Sequence, residues 1–384
     1  MKQTGYQMVS LLACALNRQT PTLDSVKQID MEKLYQMAKF HSVRALVAMT
    51  LEEAGVELSK EFKEAKQKSI RKSMLLNAEF QKVSAYLEQN KIWHMPLKGR
   101  RMQNYYPKIG MREMADTDIL FDANFREQIE TYMKSIGYEV KSVGNGNHDV
   151  YMKLPVYNYE MHVSLYGEAH KKELREYYEN VKERLLLEKG KQYTYYFSKE
   201  DFYVYMISHE YKHFSSSGVG FRALADCFVF LKEEEPNLNW NYIRTELQKL
   251  NILEFEQHTR ILSKRIFSGE TLDTLTKEER NIVEEYLFAG TYGTKERWVT
   301  NQVKQLKQEG EKHPVLSHLK KRLFPGKNVL EVYCPAAKKY RWLLPYACVK
   351  RWVKVIVVKG KEVRQEVKYL KRASKVERSF TKKN

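Results

Sequence analysis

The chain has 384 residues and a mass of 45.6 kDa, enough for two or three domains at roughly 100–200 residues each. Apolar residues make up 43%, which excludes wholesale disorder. The longest apolar run, Trp342 to Val349, has eight residues and contains Pro345, whereas a bilayer span needs about 20. The formal net charge of +18 is unevenly placed: residues 312–384 hold 21 Lys and Arg against 4 Asp and Glu, a net +17, which leaves +1 for residues 1–311. The near-neutral body and the basic C-terminal segment need separate explanations.

Residues 5–88 read as helices. Met31, Leu34, Met37 and Ala38 form an apolar stripe behind Asp30 as N-cap, Val43 to Leu51 continues the pattern, and Leu58 to Gln89 predicts one long, partly exposed helix without Gly or Pro. Leu11-Leu12-Ala13-Cys14 resembles a lipoprotein cleavage box. The apolar stretch before it is interrupted by Gln7 and Ser10, only Lys2 flanks it, and Val9, Leu12 and Leu16 recur at helical spacing. Cys14, Cys227, Cys334 and Cys348 form no C-x-x-C pair, which predicts reduced thiols and a cytoplasmic setting.

The period changes at Lys91. Ile92 to Leu97 predicts a short strand that ends in a turn at Lys98-Gly99, and Arg101 to Tyr106 a helix that stops before Pro107. Asp116 to Phe121 alternates like a strand, Ala123 to Ile136 like an amphipathic helix ended by Gly137. Tyr138 to Val143, Val150 to Leu154 and Val156 to Leu165 complete four or five strands, with a turn at Gly144-Asn145-Gly146-Asn147. Helices are then expected over Glu168 to Lys189, Lys199 to Phe214, Phe221 to Glu235, and Trp240 to about Gln308. The order predicts an α+β fold. A small mixed-sheet core at 90–190 is flanked by an N-terminal helical region at 1–89, a helical domain at 191–311 and the basic segment at 312–384.

The informative residues are Lys98-Gly99, Arg112 and Asp116-Thr117-Asp118. Residues two apart on a strand share a face, so Asp116 and Asp118 project together. Adjacent like charges on an otherwise apolar strand favour a neutralising cation, and a hard divalent ion takes carboxylate oxygens. Glu160, the only carboxylate of the later strand, is a candidate third ligand, and His162 shares its face. Arg112 is placed either against Asp116 or on phosphate.

The pattern from Pro96-Leu97-Lys98-Gly99 through Tyr106-Pro107, Arg112 and Asp116-Thr117-Asp118-Ile119-Leu120 to Gly137-Tyr138, resumed at Glu160-Met161-His162, resembles the uncharacterised bacterial nucleotidyltransferase family of the DNA polymerase β superfamily. Residues 1–310 are covered, and Tyr340 to Pro345 is similar to the family's C-terminal region. The resemblance implies a nucleotidyltransferase core. It also implies transfer of a nucleoside monophosphate from a nucleoside triphosphate to an RNA, protein or small-molecule acceptor. Asp116, Asp118 and Glu160 would then hold two Mg²⁺ (or Mn²⁺) ions about 3.5–4 Å apart, with Glu160 also a candidate general base. Lys98, Gly99, Arg100, Arg112 and His162 become candidate nucleotide contacts, as do His209, His213 and Asp226 of the helical segment. Read from the spacing alone, Arg222 and Asp226 predict an intrahelical ion pair.

Two rival readings follow from the residues. His209-Glu210-Tyr211-Lys212-His213 matches H-E-x-x-H, with Glu233 as a third ligand, and would make a zinc metallopeptidase. A catalytically dead binding module is the other. The basic segment, with Trp342-Leu343-Leu344 and Val355 to Val358 between Lys and Arg, suits RNA, an anionic membrane surface, or packing on the body.

Overall fold

A computed structural model of the chain describes residues 2–144, 146–168, 170–269 and 274–381. Asn145 of the expected turn, Ala169 of the expected helix, and residues 270–273 and 382–384 lie outside them, as do the side chains of Ile356, Val358 and Lys359. The chain divides into two units, Met1–Lys212 with Val219–Thr291, and His213–Gly218 with Tyr292–Asn384.

The first unit opens with helices α1 (Lys2–Leu16), α2 (Leu23–Lys27), α3 (Met31–His41), α4 (Arg44–Glu53) and α5 (Lys60–Gln89). Asp30 accepts from the Lys33 amide at 3.0 Å and caps α3, while Ser59 caps α5. Val9, Leu12 and Leu16 of α1 are buried, as helical spacing predicts.

The sheet follows. Strands β1 (His94–Pro96), β2 (Thr117–Phe121), β3 (Glu139–Ser142), β4 (His148–Lys153) and β5 (Tyr157–His162) lie in the order β1-β2-β5-β4-β3. Only the β2–β5 pair is parallel, so the sheet is mixed, as expected. Helices α6 (Lys98–Met102) and α7 (Arg126–Ser135) leave β1 and β2. Gly137 ends the α7 segment at φ +86°, a conformation that suits glycine. Ile119, Phe121, Tyr151, Tyr159 and Met161 point to one face of the sheet. There they pack with Phe80, Val83 and Leu87 of α5 and Ile129 and Met133 of α7.

Three local expectations need correction. The helix expected at Arg101–Tyr106 begins earlier, at Lys98, and becomes a 3₁₀ turn at Gln103–Tyr105. Lys98-Gly99 is therefore the first turn of α6, and a Cβ on Gly99 would lie 2.9 Å from Met114 Cε, the movable end of a flexible side chain. The helix expected over Glu168–Lys189 is only α8 (Lys172–Tyr177). Its end instead supplies β6 (Leu185–Leu187), which pairs antiparallel with β7 (Tyr195–Phe197). The Lys- and Glu-rich composition reads as helix, but Gly190 at φ +79° turns the chain back and the hairpin wins. The third is the partners of Arg112 and Arg222, which are Asp226 and the Glu113 carbonyl.

Helices α9 (Lys199–Phe214), α10 (Phe221–Glu234), α11 (Trp240–Lys249), α12 (Leu253–Phe267) and α13 (Lys277–Ala289) complete the helical part. The last two residues of α9 belong to the second unit. That unit holds α14 (Lys295–Gln308), α15 (Pro314–Leu323), α16 (Lys327–Tyr333) and α17 (Leu344–Thr381). Val299, Val303 and Leu370 form one of its cores, and Leu330, Cys334, Ala337, Ala347 and Cys348 another. No helix among the described residues is long and apolar enough to cross a membrane.

Candidate functional site

Pleating sorts the residues of β2, β4 and β5. Those alternating with the core set face the other side of the sheet, and the parallel register puts Asp118 beside Glu160 and Leu120 beside His162. The antiparallel β4–β5 register adds His148 opposite His162. Asp116 lies just before β2. Two strands 42 positions apart in the chain thus bring together a carboxylate–imidazole cluster that the sequence only suggested. Asp118 and Glu160 keep 26% and 27% of their side-chain surface, so both are reachable.

Distances within the cluster are short. His162 Nε2 lies 3.3 Å from Asp118 Oδ1 and 3.8 Å from Glu160 Oε2, and His148 Nε2 is 3.6 Å from the same Glu160 oxygen. Burial pushes Asp116 up to about 6, helped by the charge of Asp118. Burial also pushes Asp118 up to about 6, and raises Glu160, to which the Asp118 and Asp116 charges add. Burial lowers both histidines, His162 to about 4, so their rings are neutral near pH 7. Crowded carboxylates beside neutral imidazoles are stabilised by a cation. Asp118 and Glu160 share this face with Asp116 just before β2, and carboxylate oxygens are the donors a hard divalent ion takes. The ligand atoms of His148, Glu160 and His162 lie within 4.8 Å of one another, the only such trio of metal-ligating residues among the described residues.

Cations surround the cluster. Lys212 of α9 interacts with Asp118 and Glu160, and its pKa is lowered by burial against their pull. Lys72 of α5 acts on Asp116 in the same way and donates to the Ala115 carbonyl at 2.8 Å. Sequence reasoning missed Lys212, Lys72 and His148. Lys212 lies inside the H-E-x-x-H match, at a position that motif leaves unspecified; the other two join only through tertiary pairing.

Arg112 is not held by Asp116. It donates from Nε and Nη2 to the two oxygens of Asp226 on α10, both at 2.9 Å. Burial alone would lower the Arg112 pKa, but Asp226 raises it. Burial would likewise raise Asp226, yet Arg112 and Lys98 hold it well below the usual carboxylate range. The Tyr106 hydroxyl donates to Asp226 at 2.9 Å, and Lys98 Nζ lies 3.5 Å away. The intrahelical Arg222–Asp226 pair is therefore replaced: Arg222 donates to the Glu113 carbonyl at 3.1 Å. A buried bidentate partner on β2's approach outcompetes a neighbour on the helix surface.

Arg100 points elsewhere. It donates to Asn77 Oδ1 at 2.7 Å and stacks over Phe80, lining a cavity of about 400 Å³ with Tyr195, Tyr196 and Phe202. His209 and His213 stand on α9, but neither belongs to a metal-ligating trio among the described residues. Glu210 is buried and accepts from the Tyr286 hydroxyl at 3.0 Å, and burial pushes it up to about 7. It faces the interior rather than a zinc-bound water, and Glu233 is exposed. The peptidase constellation gains no support.

Comparison with curated proteins and with solved structures gives no match. The family model described as uncharacterised nucleotidyltransferase matches residues 27–268, which contain the whole carboxylate cluster and the helices around it. The chain is a member of that nucleotidyltransferase family.

Proposed function

We propose that the chain transfers a nucleoside monophosphate from a nucleoside triphosphate to an acceptor hydroxyl or amine, at the face carrying Asp116, Asp118 and Glu160. The convergence of these carboxylates with raised pKa values supports this reading. Asp116, Asp118 and Glu160 would hold Mg²⁺, and the imidazoles of His148 and His162 would admit Mn²⁺ as well. When bound, the cation would neutralise the triphosphate and charge developing at the α-phosphorus.

The chain's own residues do the rest. Lys212 and Lys72 offset anionic charge entering the cluster. Arg112 and Lys98, fixed on Asp226, hold the approach to β2 in place. Glu160 would take the acceptor proton. The acceptor classes are RNA, protein or small molecule.

The test is binding and turnover of each labelled triphosphate with cell extract. Binding should need Mg²⁺ or Mn²⁺ and vanish in Asp118→Asn. Triphosphate binding indifferent to both the cation and Asp118 would refute the proposal.

A further inference from the structure

The second unit carries an apolar face that its own cores do not use. Tyr346, Val349, Val353 and Val357 of α17 fall within an arc of about 80° at 3.6 residues per turn. Trp342 precedes them by one turn, and the five are between 52% and 77% exposed. The opposite side of the helix, Ala347 and Cys348, packs inward. Phe324, 59% exposed, meets Trp352 edge-on at 5.5 Å. Single exposed apolar residues are ordinary; four on one face of a helix, with Trp342 just before it, are not.

Charge frames this face. Lys350 and Lys354 are exposed along one edge of the stripe. Residues 312–384 carry +17, and three of the four acidic side chains, Glu331, Glu362 and Glu366, already face Lys327, Lys295 and Arg322 of the same unit. Among the described residues, the acidic side chains of this segment are thus already engaged.

We propose that this face of α17 seats on an anionic lipid surface. The apolar line would enter the headgroup boundary, Trp342 and Tyr346 would sit at the level where amphipathic rings are favoured, and Lys350 and Lys354 would meet lipid phosphates. Nucleic acid offers the same phosphates but no apolar phase for Val349, Val353 and Val357. A protein partner would have to supply both an apolar groove and an acidic rim, whereas an anionic bilayer supplies both at once. The helix lies on the surface and does not span it.

The test is flotation of the full chain with vesicles of phosphatidylcholine, with and without phosphatidylglycerol. The chain is expected to float with the anionic vesicles and not with the neutral ones. Val353→Glu with Val357→Glu, both at exposed positions, should reduce binding about tenfold or more with an unchanged circular dichroism spectrum. Lys350→Glu with Lys354→Glu should do the same. A blue shift of tryptophan emission on vesicles, reduced in Trp342→Phe, is a second readout that leaves the charges untouched. Equal binding to neutral and anionic vesicles, or wild-type binding by the double Val variant, overturns the proposal. So does binding to single-stranded RNA that the Lys variant abolishes and the Val variant leaves intact, with no flotation.

Discussion

Replacing Asp226 by Ala is the sharpest test of how the site is held. Arg112 and Asp226 keep only 7% and 2% of their side-chain surface, joined by two hydrogen bonds of 2.9 Å, with the Tyr106 hydroxyl and Lys98 on the same carboxylate. Removing the carboxylate leaves a guanidinium buried without its counter-charge and strands a buried phenol. Breaking one side of such a pair costs about 3–5 kcal/mol, most of it the desolvation of the survivor. That is a large part of the roughly 5–15 kcal/mol that holds a typical domain together. Replacing both partners, Arg112→Met with Asp226→Leu, removes both charges and should recover most of the loss. The assay is urea unfolding of the two variants and the wild type at pH 7, comparing midpoints at constant slope. A loss below about 1 kcal/mol in Asp226→Ala, or a double variant no better than the single one, would refute the reasoning. The pH dependence has a fixed sign. The folded pKa of Asp226 lies below its unfolded value, so its contribution is complete at neutral pH. It fades only as the medium is acidified below the ordinary Asp value of about 3.9.

Glu210→Gln should have the opposite sign. Its folded pKa of about 7 exceeds the ordinary 4.5, so ionised Glu210 costs stability that grows as pH rises through that window and is complete above 7. The variant should gain on the order of 1–3 kcal/mol at pH 8 and nothing at pH 4, read from urea midpoints; equal gains at both would reject the assignment. Asp118→Asn should abolish cation-dependent triphosphate binding while raising the stability of the cation-free protein at pH 8, since it removes one of the crowded carboxylates. Loss of both properties together would point to a structural role instead. Gly99→Ala should leave the melting temperature nearly unchanged, since only the flexible end of Met114 has to give and Ala suits a helix better than Gly. Triphosphate affinity should be unchanged, and a large fall in affinity with unaltered melting would place phosphate against Gly99.

Much of this architecture is legible from residue order. Asp30 and Ser59 as caps, the unbroken α5 and the alternation of Asp116 to Phe121 are local signals, and local signals survive tertiary context. The β6–β7 hairpin was hidden because three-residue strands have too little period to outweigh helix-forming Lys and Glu. In the site, Asp116, Asp118 and Glu160 could be named from spacing and resemblance. Lys212 and His148 could not, because their neighbours are set by strand register and by where α9 passes. Arg112 illustrates the same limit: its alternatives were Asp116 or phosphate, and its partner came from α10, 114 residues on.

Asp118 and Glu160 sit side by side on parallel strands, and parallel neighbours require a crossover between them. A chain that has not closed β5 against β2 has no site at all. Any cation that binds there binds only the folded sheet, so it acts as a ligand of folding as well as of substrate. At a hundredfold excess over its dissociation constant it would add about 2.7 kcal/mol to stability. The melting temperature should therefore climb with Mg²⁺ in the wild type and stay flat in Asp118→Asn. Depleting the metal would silence the site and, by the same equilibrium, shorten the life of the protein.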